Sequence, residues 1–478
     1  MLDALRGVWD AILAIPHLKL YLTVAYVGYV LWLGAWIALQ KREPAATLSW
    51  LISLAALPYV GFVIYYFFGP QRIQRQRLRR LRNRGRLDPH PSGFDRDADA
   101  LELARVAQAT TGLAPTTATR ADLLIDGAAK YTALLAEIAK AREHIHLEYY
   151  IYLPDRTGTA LRDALVERAR AGVKVRLLLD AVGSGKVSWR YLQPLIDAGG
   201  EVAWFHPMRL RWFWKRPWLN LRTHRKIVVV DGCVAFTGGI NITDEEDERL
   251  REDAYRDLHL RLEGDVVRAL QLVFVEDWAY ATGDPPLKLA LPICGAGTVA
   301  AQVLVSGPDS PWEAIHRLHV GAIHSARRRV WLVTPYFVPG EAARMALTSA
   351  ALGGLDVRLL VPKVSDSVLV TWAARSYFDE LLSAGVRIHE YGPRLLHTKA
   401  LLCDDEVAII GSANFDNRSF RLNFELSVLF RDAGLAGQLA ALIENELGQT
   451  TRVRDDRGRP LWRSRLPEAI ARLMSPLL

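Results

Sequence analysis

At 478 residues the chain is long for one ordinary domain, and two or three are expected. Half of it is apolar and 23% is charged, which excludes low-complexity disorder; its cysteines, Cys233, Cys294 and Cys403, form no C-x-x-C pair, which argues against a disulfide framework or a cysteine-built metal site. The formal charge of +8 calls for an anionic partner, either nucleic acid or an acidic membrane.

The first elements are apolar. Residues 20–39, LYLTVAYVGYVLWLGAWIAL, and 45–69, AATLSWLISLAALPYVGFVIYYFFG, carry no charge. Each is close to the ~20 residues that cross a hydrocarbon core as a helix. Trp32, Trp36, Trp50, Tyr65 and Tyr66 lie toward their ends, where aromatic rings favour the interface. Pro58 is expected to kink the second span, which membrane helices tolerate. A cleaved signal peptide would have a shorter apolar core and no second span so soon after it. Residues 1–70 therefore read as a transmembrane hairpin. Residues 71–86, QRIQRQRLRRLRNRGR, hold eight arginines and no acid, against Lys41 and Arg42 between the spans. The positive-inside bias puts the C-terminal body, and with two spans the N-terminus, in the cytoplasm. Beside a span, this arginine run suits anionic headgroups better than nucleic acid, so no nucleic-acid partner is expected. Residues 71–120 read as a basic juxtamembrane linker.

From about Ala121 strand-like and helix-like segments alternate, which argues for α/β layers. HIHLEYYIYL (144–153), an amphipathic helix, VKVRLLLDAVGS (173–184), a second helix and AGGEVAWFHP (198–207) lead to HRKIVVVD, which begins at His224. The order then repeats: RVWLVTPYFVPG (329–340), LDVRLLVPKVSDS (355–367), AGVRIHEYGP (384–393) and HTKALLCD, which begins at His397. Such a repeat argues for internal duplication, with similar domains at 121–283 and 284–478 joined near DPPLKLALPICGAGT. The first copy carries an extra segment, residues 208–219, with Trp212, Trp214 and Trp218 among Arg209, Arg211, Lys215 and Arg216. It reads either as a stretch that dips into headgroups or as a loop packed on its own domain.

The two histidine segments share one frame. H-x-K, four residues, Asp, six residues, Gly, and then Asn three residues on gives His224, Lys226, Asp231 and Asn241, and again His397, Lys399, Asp404 and Asn414, each 173 residues later. One H-x-K means little; two full frames point to one site built from both copies about a pseudo-two-fold. Strand spacing sets His and Lys on one face. Two lysines can neutralise a phosphodiester, and Asn241, Ser412 and Asn414 can add hydrogen bonds to it. One imidazole can attack phosphorus while the other protonates the leaving alkoxide. The attacker must be neutral, which calls for a carboxylate on its other nitrogen. Asp257 and Glu425, each about 30 residues after the histidine of its own copy, are the candidates. Asp231 and Asp404 are grouped with the catalytic frame by their spacing, but a structural role, binding backbone or the loop after the strand, is the reading favoured for both. The acidic run TDEEDERLRED (243–253) reads as a solvated loop. No H-E-x-x-H or cysteine pair is present and lysine is a poor zinc ligand, so neither metal nor cofactor is expected. From the residues alone, phosphatidyl transfer, phospholipid hydrolysis and nuclease chemistry remain open, with a non-enzymatic scaffold the least favoured.

The paired frames, with EYYIYLPDRTG, VRLLLDAVGS, VLVSGPDSPW, TPYFVPG, GSANFDNRSFRLNFELSV and the terminal SPLL, resemble the phospholipase D superfamily, and more narrowly its bacterial cardiolipin synthases. The resemblance covers nearly the whole chain. It implies transfer of a phosphatidyl group between two phosphatidylglycerol molecules at the bacterial cytoplasmic membrane, yielding cardiolipin and glycerol. It implies His224 as nucleophile and His397 as general acid/base. It leaves the oligomeric state open, a homodimer included. The chain departs from many members in having Gly239 in place of Ser and Tyr255 in place of Trp. The first departure is expected to remove one phosphate hydrogen bond.

Overall fold

The computed structural model describes residues 16–38, 48, 51–52, 98–206, 221–285, 287, 295–310, 312–454 and 458–475. The chain divides into two compact units. Within the smaller, the described part is chiefly one helix, Leu18–Ala38, which overlays the first expected span. Among the described residues no helix is long and apolar enough to cross a membrane. The second expected span, apart from Leu48, Leu51 and Ile52, lies outside the described residues, as do the arginine run 71–86 and the Trp/Arg segment 208–219.

The larger unit holds both copies of the repeat, each built on a mixed sheet. Strands of the first are β2 (Arg120–Ile125), β3 (His144–Tyr149), β4 (Lys174–Asp180), β5 (Glu201–Phe205), β6 (Ile227–Val230), β7 (Val234–Gly238) and β8 (Leu258–Glu263). Those of the second are β9 (Val299–Ser306), β10 (Arg329–Val333), β12 (Asp356–Pro362), β13 (Arg387–Tyr391), β14 (Ala400–Cys403), β15 (Val407–Gly411) and β17 (Glu425–Arg431). The first sheet runs β2-β8-β7-β6-β3-β4-β5, and the second repeats that order as β9-β17-β15-β14-β10-β12-β13. In both, the three strands at one end are parallel and the histidine-bearing end is antiparallel. Two short strands, β11 (Phe337–Val338) and β16 (Phe415–Asp416), pair with each other beside the second sheet.

The second sheet gains two edge strands. β18 (Thr450–Arg452) caps one side, and β1 (Thr116–Ala118) pairs antiparallel with β9 on the other. Residues expected within the linker therefore contribute a strand to the second sheet, and the helix Ala98–Thr111 packs on the same half. The reason is chemical: Thr116, Thr117 and Ala118 are buried, and a bare β9 edge would leave its amides unpaired.

Local sequence sets the helices. Asp155 and Asp432 cap the helices Arg156–Arg170 and Ala433–Leu447, each accepting from the amide three residues on. Arg168 and Arg170 sit in the last turn of the former, where a positive charge is favoured. One hydrophobic core draws on both halves, Val229 and Phe274 meeting Val333 and Phe430, while a further core lies on the outer side of each sheet. Burial of each such side chain stabilises by about 1.5–3 kcal/mol, so the two halves are held as one body.

Candidate active site

Both histidines lie just ahead of a strand rather than within it, His224 before β6 and His397 before β14. Their backbones are held by the opposite copy. The His224 amide donates to the Phe424 carbonyl at 2.8 Å, and the Phe424 amide donates to the Arg222 carbonyl at 2.8 Å. In the matching place, the His397 amide donates to the Arg256 carbonyl at 2.7 Å and the Arg256 amide to the Leu395 carbonyl at 2.8 Å. These are two isolated parallel bridges related by the pseudo-two-fold.

The residue following each bridge partner is a carboxylate. Glu425 Oε2 lies 3.0 Å from His224 Nδ1, and Asp257 Oδ2 lies 2.6 Å from His397 Nδ1. This corrects the sequence expectation, which paired each carboxylate with the histidine of its own copy. Within a copy the carboxylate starts or precedes β8 or β17, two strands away from β6 or β14. At ~4.8 Å per strand that is about 10 Å, beyond hydrogen-bond reach. The facing copy brings its own frame into contact instead.

Both histidines, both lysines and both carboxylates are buried. Burial drives the His224 pKa down to about 4; Glu425 opposes the shift and Lys226 adds to it. The imidazole is thus neutral near pH 7. With its Nδ1–H given to Glu425, which can only accept, its Nε2 lone pair is free to attack. Burial alone would raise Glu425 and Asp257, but His224 and Lys226 beside the first, and Lys399 and His397 beside the second, hold both below the usual carboxylate range. Burial also lowers Lys226 to about 7, and lowers Lys399 despite Asp257. An arriving phosphodiester anion would favour the charged form of both lysines.

Lys226 Nζ donates to the His224 carbonyl at 2.7 Å, and Lys399 Nζ to the His397 carbonyl, with Asp257 Oδ2 at 3.5 Å. Each H-x-K step thereby locks its own turn. Ser412 Oγ donates to Glu425 Oε2 at 2.5 Å, so its hydroxyl supports the carboxylate. Its counterpart is Gly239, where a Cβ would lie 2.2 and 2.4 Å from the Asp257 carboxylate oxygens. The missing side chain makes room for Asp257. The Asn241 side chain is committed: its Nδ2 donates to Glu246 at 2.7 Å and its Oδ1 accepts from the Ile151 amide at 3.3 Å. Asn414 Oδ1 is buried with no partner among the described residues, which leaves it available to a substrate hydroxyl. The two copies are therefore not chemically equivalent.

Asp231 and Asp404, grouped with the catalytic frame, lie at the far ends of β6 and β14 from the histidines. Asp231 accepts from the amides of Arg142, Glu143 and His144, and Asp404 from those of Arg327, Arg328 and Arg329. Each clamps the start of the neighbouring strand, β3 or β10, from a left-handed backbone conformation, φ 51° and 53°. They hold the sheet and touch no reacting group.

The sequence reading missed Glu246 and Lys130. Glu246 belongs to the run read as a solvated loop, yet it is buried, and its carboxylate receives both the Asn241 amide and the Asn241 side chain. Lys130, fully buried, donates to the Asn241 carbonyl at 3.0 Å. The signal lay in the repeat offset: Glu246 aligns with Ser419, which likewise receives the Asn414 amide. Ligand atoms of Glu246, Asp257 and His397 lie within 4.8 Å of one another and are the described residues that could hold a metal. Lys399 already supplies positive charge at the same Asp257 oxygen.

A family model described as "Cardiolipin synthase, PLD-like domain" matches residues 134–271 and 320–447, and one described as "Phospholipase_D-nuclease N-terminal" matches residues 30–70. A cardiolipin synthase of Geobacillus kaustophilus is 40% identical, with 100% of this chain and 97% of that protein covered. The major cardiolipin synthase of Bacillus subtilis is 36% identical over 92% of this chain and 95% of its own length. Among solved structures, a phosphatidylserine synthase of Haemophilus influenzae superposes with a TM-score of 0.58 at 14% identity, covering 79% of this chain and 100% of that one, a likeness of fold. With two matched sheets meeting at one paired histidine site, the chain belongs to the cardiolipin synthase family of phospholipase D-like proteins.

Proposed function

We propose that this chain is a cardiolipin synthase that moves a phosphatidyl group from one phosphatidylglycerol to another through a phosphohistidine. The crossed His–carboxylate pairs flanked by two buried lysines carry this reading. His224 Nε2, neutral and oriented by Glu425, attacks phosphorus. His397, oriented by Asp257, gives its proton to the departing glycerol oxygen as the P–O bond breaks. The terminal hydroxyl of a second phosphatidylglycerol then gives its proton back to His397 and attacks phosphorus; the new P–O bond forms as the P–N bond breaks, which releases His224 and yields cardiolipin. Lys226 and Lys399 offset the charge on the phosphoryl oxygens. Bond type and charge are conserved overall, so the reaction needs no energy source and runs in both directions.

The membrane reading rests on the N-terminal helix. From Leu20 to Ala38 it is uncharged and about 28 Å long at ~1.5 Å per residue, just under a ~30 Å hydrocarbon core, which flanking apolar residues would complete. Leu20, Tyr21, Val24, Val27, Leu31 and Trp32 stand exposed on it, as lipid contact requires. A Cβ on Gly34 would lie 3.5 Å from Leu51, which supports a hairpin with the segment after it. We place that hairpin in the cytoplasmic membrane, with the body on the arginine-rich cytoplasmic side.

The test is labelled glycerol added to the enzyme in cardiolipin vesicles. Label in phosphatidylglycerol is the expected result. Phosphatidic acid as the sole product would make water the acceptor and overturn the transferase.

A further inference from the structure

The described catalytic body carries its own unpartnered apolar surface. The C-terminal segment, a short turn at Leu461–Arg465 continued by the helix Leu466–Leu473, buries Glu468 and Ala471 and turns Leu461, Trp462, Ile470 and Leu473 outward. Beside it packs the helix Val368–Arg375, whose first residue, Val368, is exposed, as is Val364 in the loop ahead of it. These six side chains are each 55–79% exposed. Water penalises such a cluster, and a contiguous apolar patch on a folded body marks a contact surface.

Charge identifies the partner. Arg463 and Arg465 stand exposed between the apolar residues, and Lys363 adjoins Val364. The one acid of the C-terminal segment, Glu468, is turned inward to Arg459, and Asp366, the acid of the loop, accepts from the Tyr336 hydroxyl at 2.7 Å. Apolar side chains interleaved with cations match the boundary between acyl chains and anionic headgroups.

The surface borders the active site. Tyr255 packs against His397 with ring centroids 5.5 Å apart, and Asp366 and Tyr336 are near enough to Tyr255 to act on it electrostatically. The residues just past the C-terminal helix are tied to the short helix Asn417–Arg421, which begins three residues after Asn414, since Asn417 Nδ2 donates to the Ser475 carbonyl at 3.2 Å. The first copy has a matching rim. Val182, two residues beyond β4 as Val364 is two beyond β12, is exposed, and so is Trp189. Their loop rests on Tyr150, whose carbonyl accepts from Ser184 at 2.9 Å and whose ring lies 4.9 Å from His224. Each histidine is therefore reached past an aromatic ring and an exposed valine.

We propose that the catalytic body docks directly on an anionic bilayer through this rim and the C-terminal helix, so that headgroups enter the site while acyl chains stay in the membrane. This rests on the lipid-substrate reading above, but it concerns a contact made by the body itself, separate from the N-terminal hairpin.

The test uses the full chain reconstituted in phosphatidylglycerol vesicles. An environment-sensitive fluorophore is placed on Ile470→Cys or Leu473→Cys, with the labelled parent chain as the blank for native cysteines. Phosphatidylglycerol with brominated acyl chains should quench both probes about twofold, as for side chains seated at the acyl boundary. This readout needs no turnover, so it stands even if the transferase reading fails. In parallel, Trp462→Asp with Leu473→Asp should cut turnover on vesicles about tenfold or more while leaving turnover on short-chain monomeric phosphatidylglycerol unchanged. Probes that ignore brominated lipid overturn the proposal. So does an equal loss on both substrates, or a crosslink between two copies of the Leu473→Cys variant through the introduced thiol, which would make a second protein chain the occupant.

Discussion

Replacing Glu425 by Gln should disable His224, although Glu425 lies 201 residues away in the other copy. The carboxylate is fully buried and holds the imidazole at 3.0 Å, with Ser412 on the same oxygen and Asn423 on the other. A hydrogen bond to a charged group contributes about 1.5–3 kcal/mol, and its loss alone slows the reaction roughly tenfold to a hundredfold. A glutamine can also turn its amide N–H toward Nδ1, which moves the imidazole proton to Nε2 and removes the attacking lone pair. In a catalytic triad that change of tautomer costs about 10⁴. The expected loss therefore lies between roughly 10 and 10⁴, depending on which way the glutamine amide turns. Asp257→Asn should cost a similar factor on phosphatidylglycerol, so turnover alone does not separate the two. A phosphatidyl ester of p-nitrophenol does, because its leaving group departs without a proton. In a single-turnover measurement of p-nitrophenolate release, Asp257→Asn should recover most of its rate and Glu425→Gln should not. Rescue of Glu425→Gln instead would refute both the crossed pairing as a functional unit and the assignment of His224 as nucleophile.

Other outcomes follow from the same geometry. His224 is active when neutral and its pKa is depressed to about 4, so kcat/KM on short-chain lipid in neutral micelles should persist below pH 6 and fall only as pH drops through about 4; an acid limb near the ordinary histidine value of ~6.5 would contradict this. Gly239→Ala should force Asp257 off His397, because the added Cβ would meet both carboxylate oxygens; a loss of about tenfold or more in kcat is expected, and rescue of that loss by the p-nitrophenyl ester would locate it at the general acid. Asp231→Ala removes the carboxylate that accepts from three backbone amides and strains a left-handed position, so thermal unfolding should show about 2–4 kcal/mol of lost stability, with the folded fraction keeping its specific activity.

The sequence by itself determined the duplication and its chemistry. The 173-residue offset aligns His, Lys, Asp, Gly and Asn at once, and strands such as Ile227–Val230 declare themselves by unbroken β-branched runs. The same offset carries information that a motif search leaves unread, as with Glu246 and Ser419. Tertiary structure decided which groups meet. Sequence distance favoured carboxylates about 30 residues downstream, but one intervening strand in each sheet holds each away from its own histidine, and two parallel bridges between the copies hand it to the other. Burial was equally beyond the sequence: Glu246 sits in a run of acids that any local reading leaves in water, and only its Asn241 partner and the packed sheet explain why it is inside. Asp231 and Asp404 match the frame as well as the histidines do, yet four strand residues carry each to the opposite end of the sheet, where backbone amides and not substrate await it. A linear pattern records which residues recur. The meeting of two sheets sets which of them face one phosphorus atom.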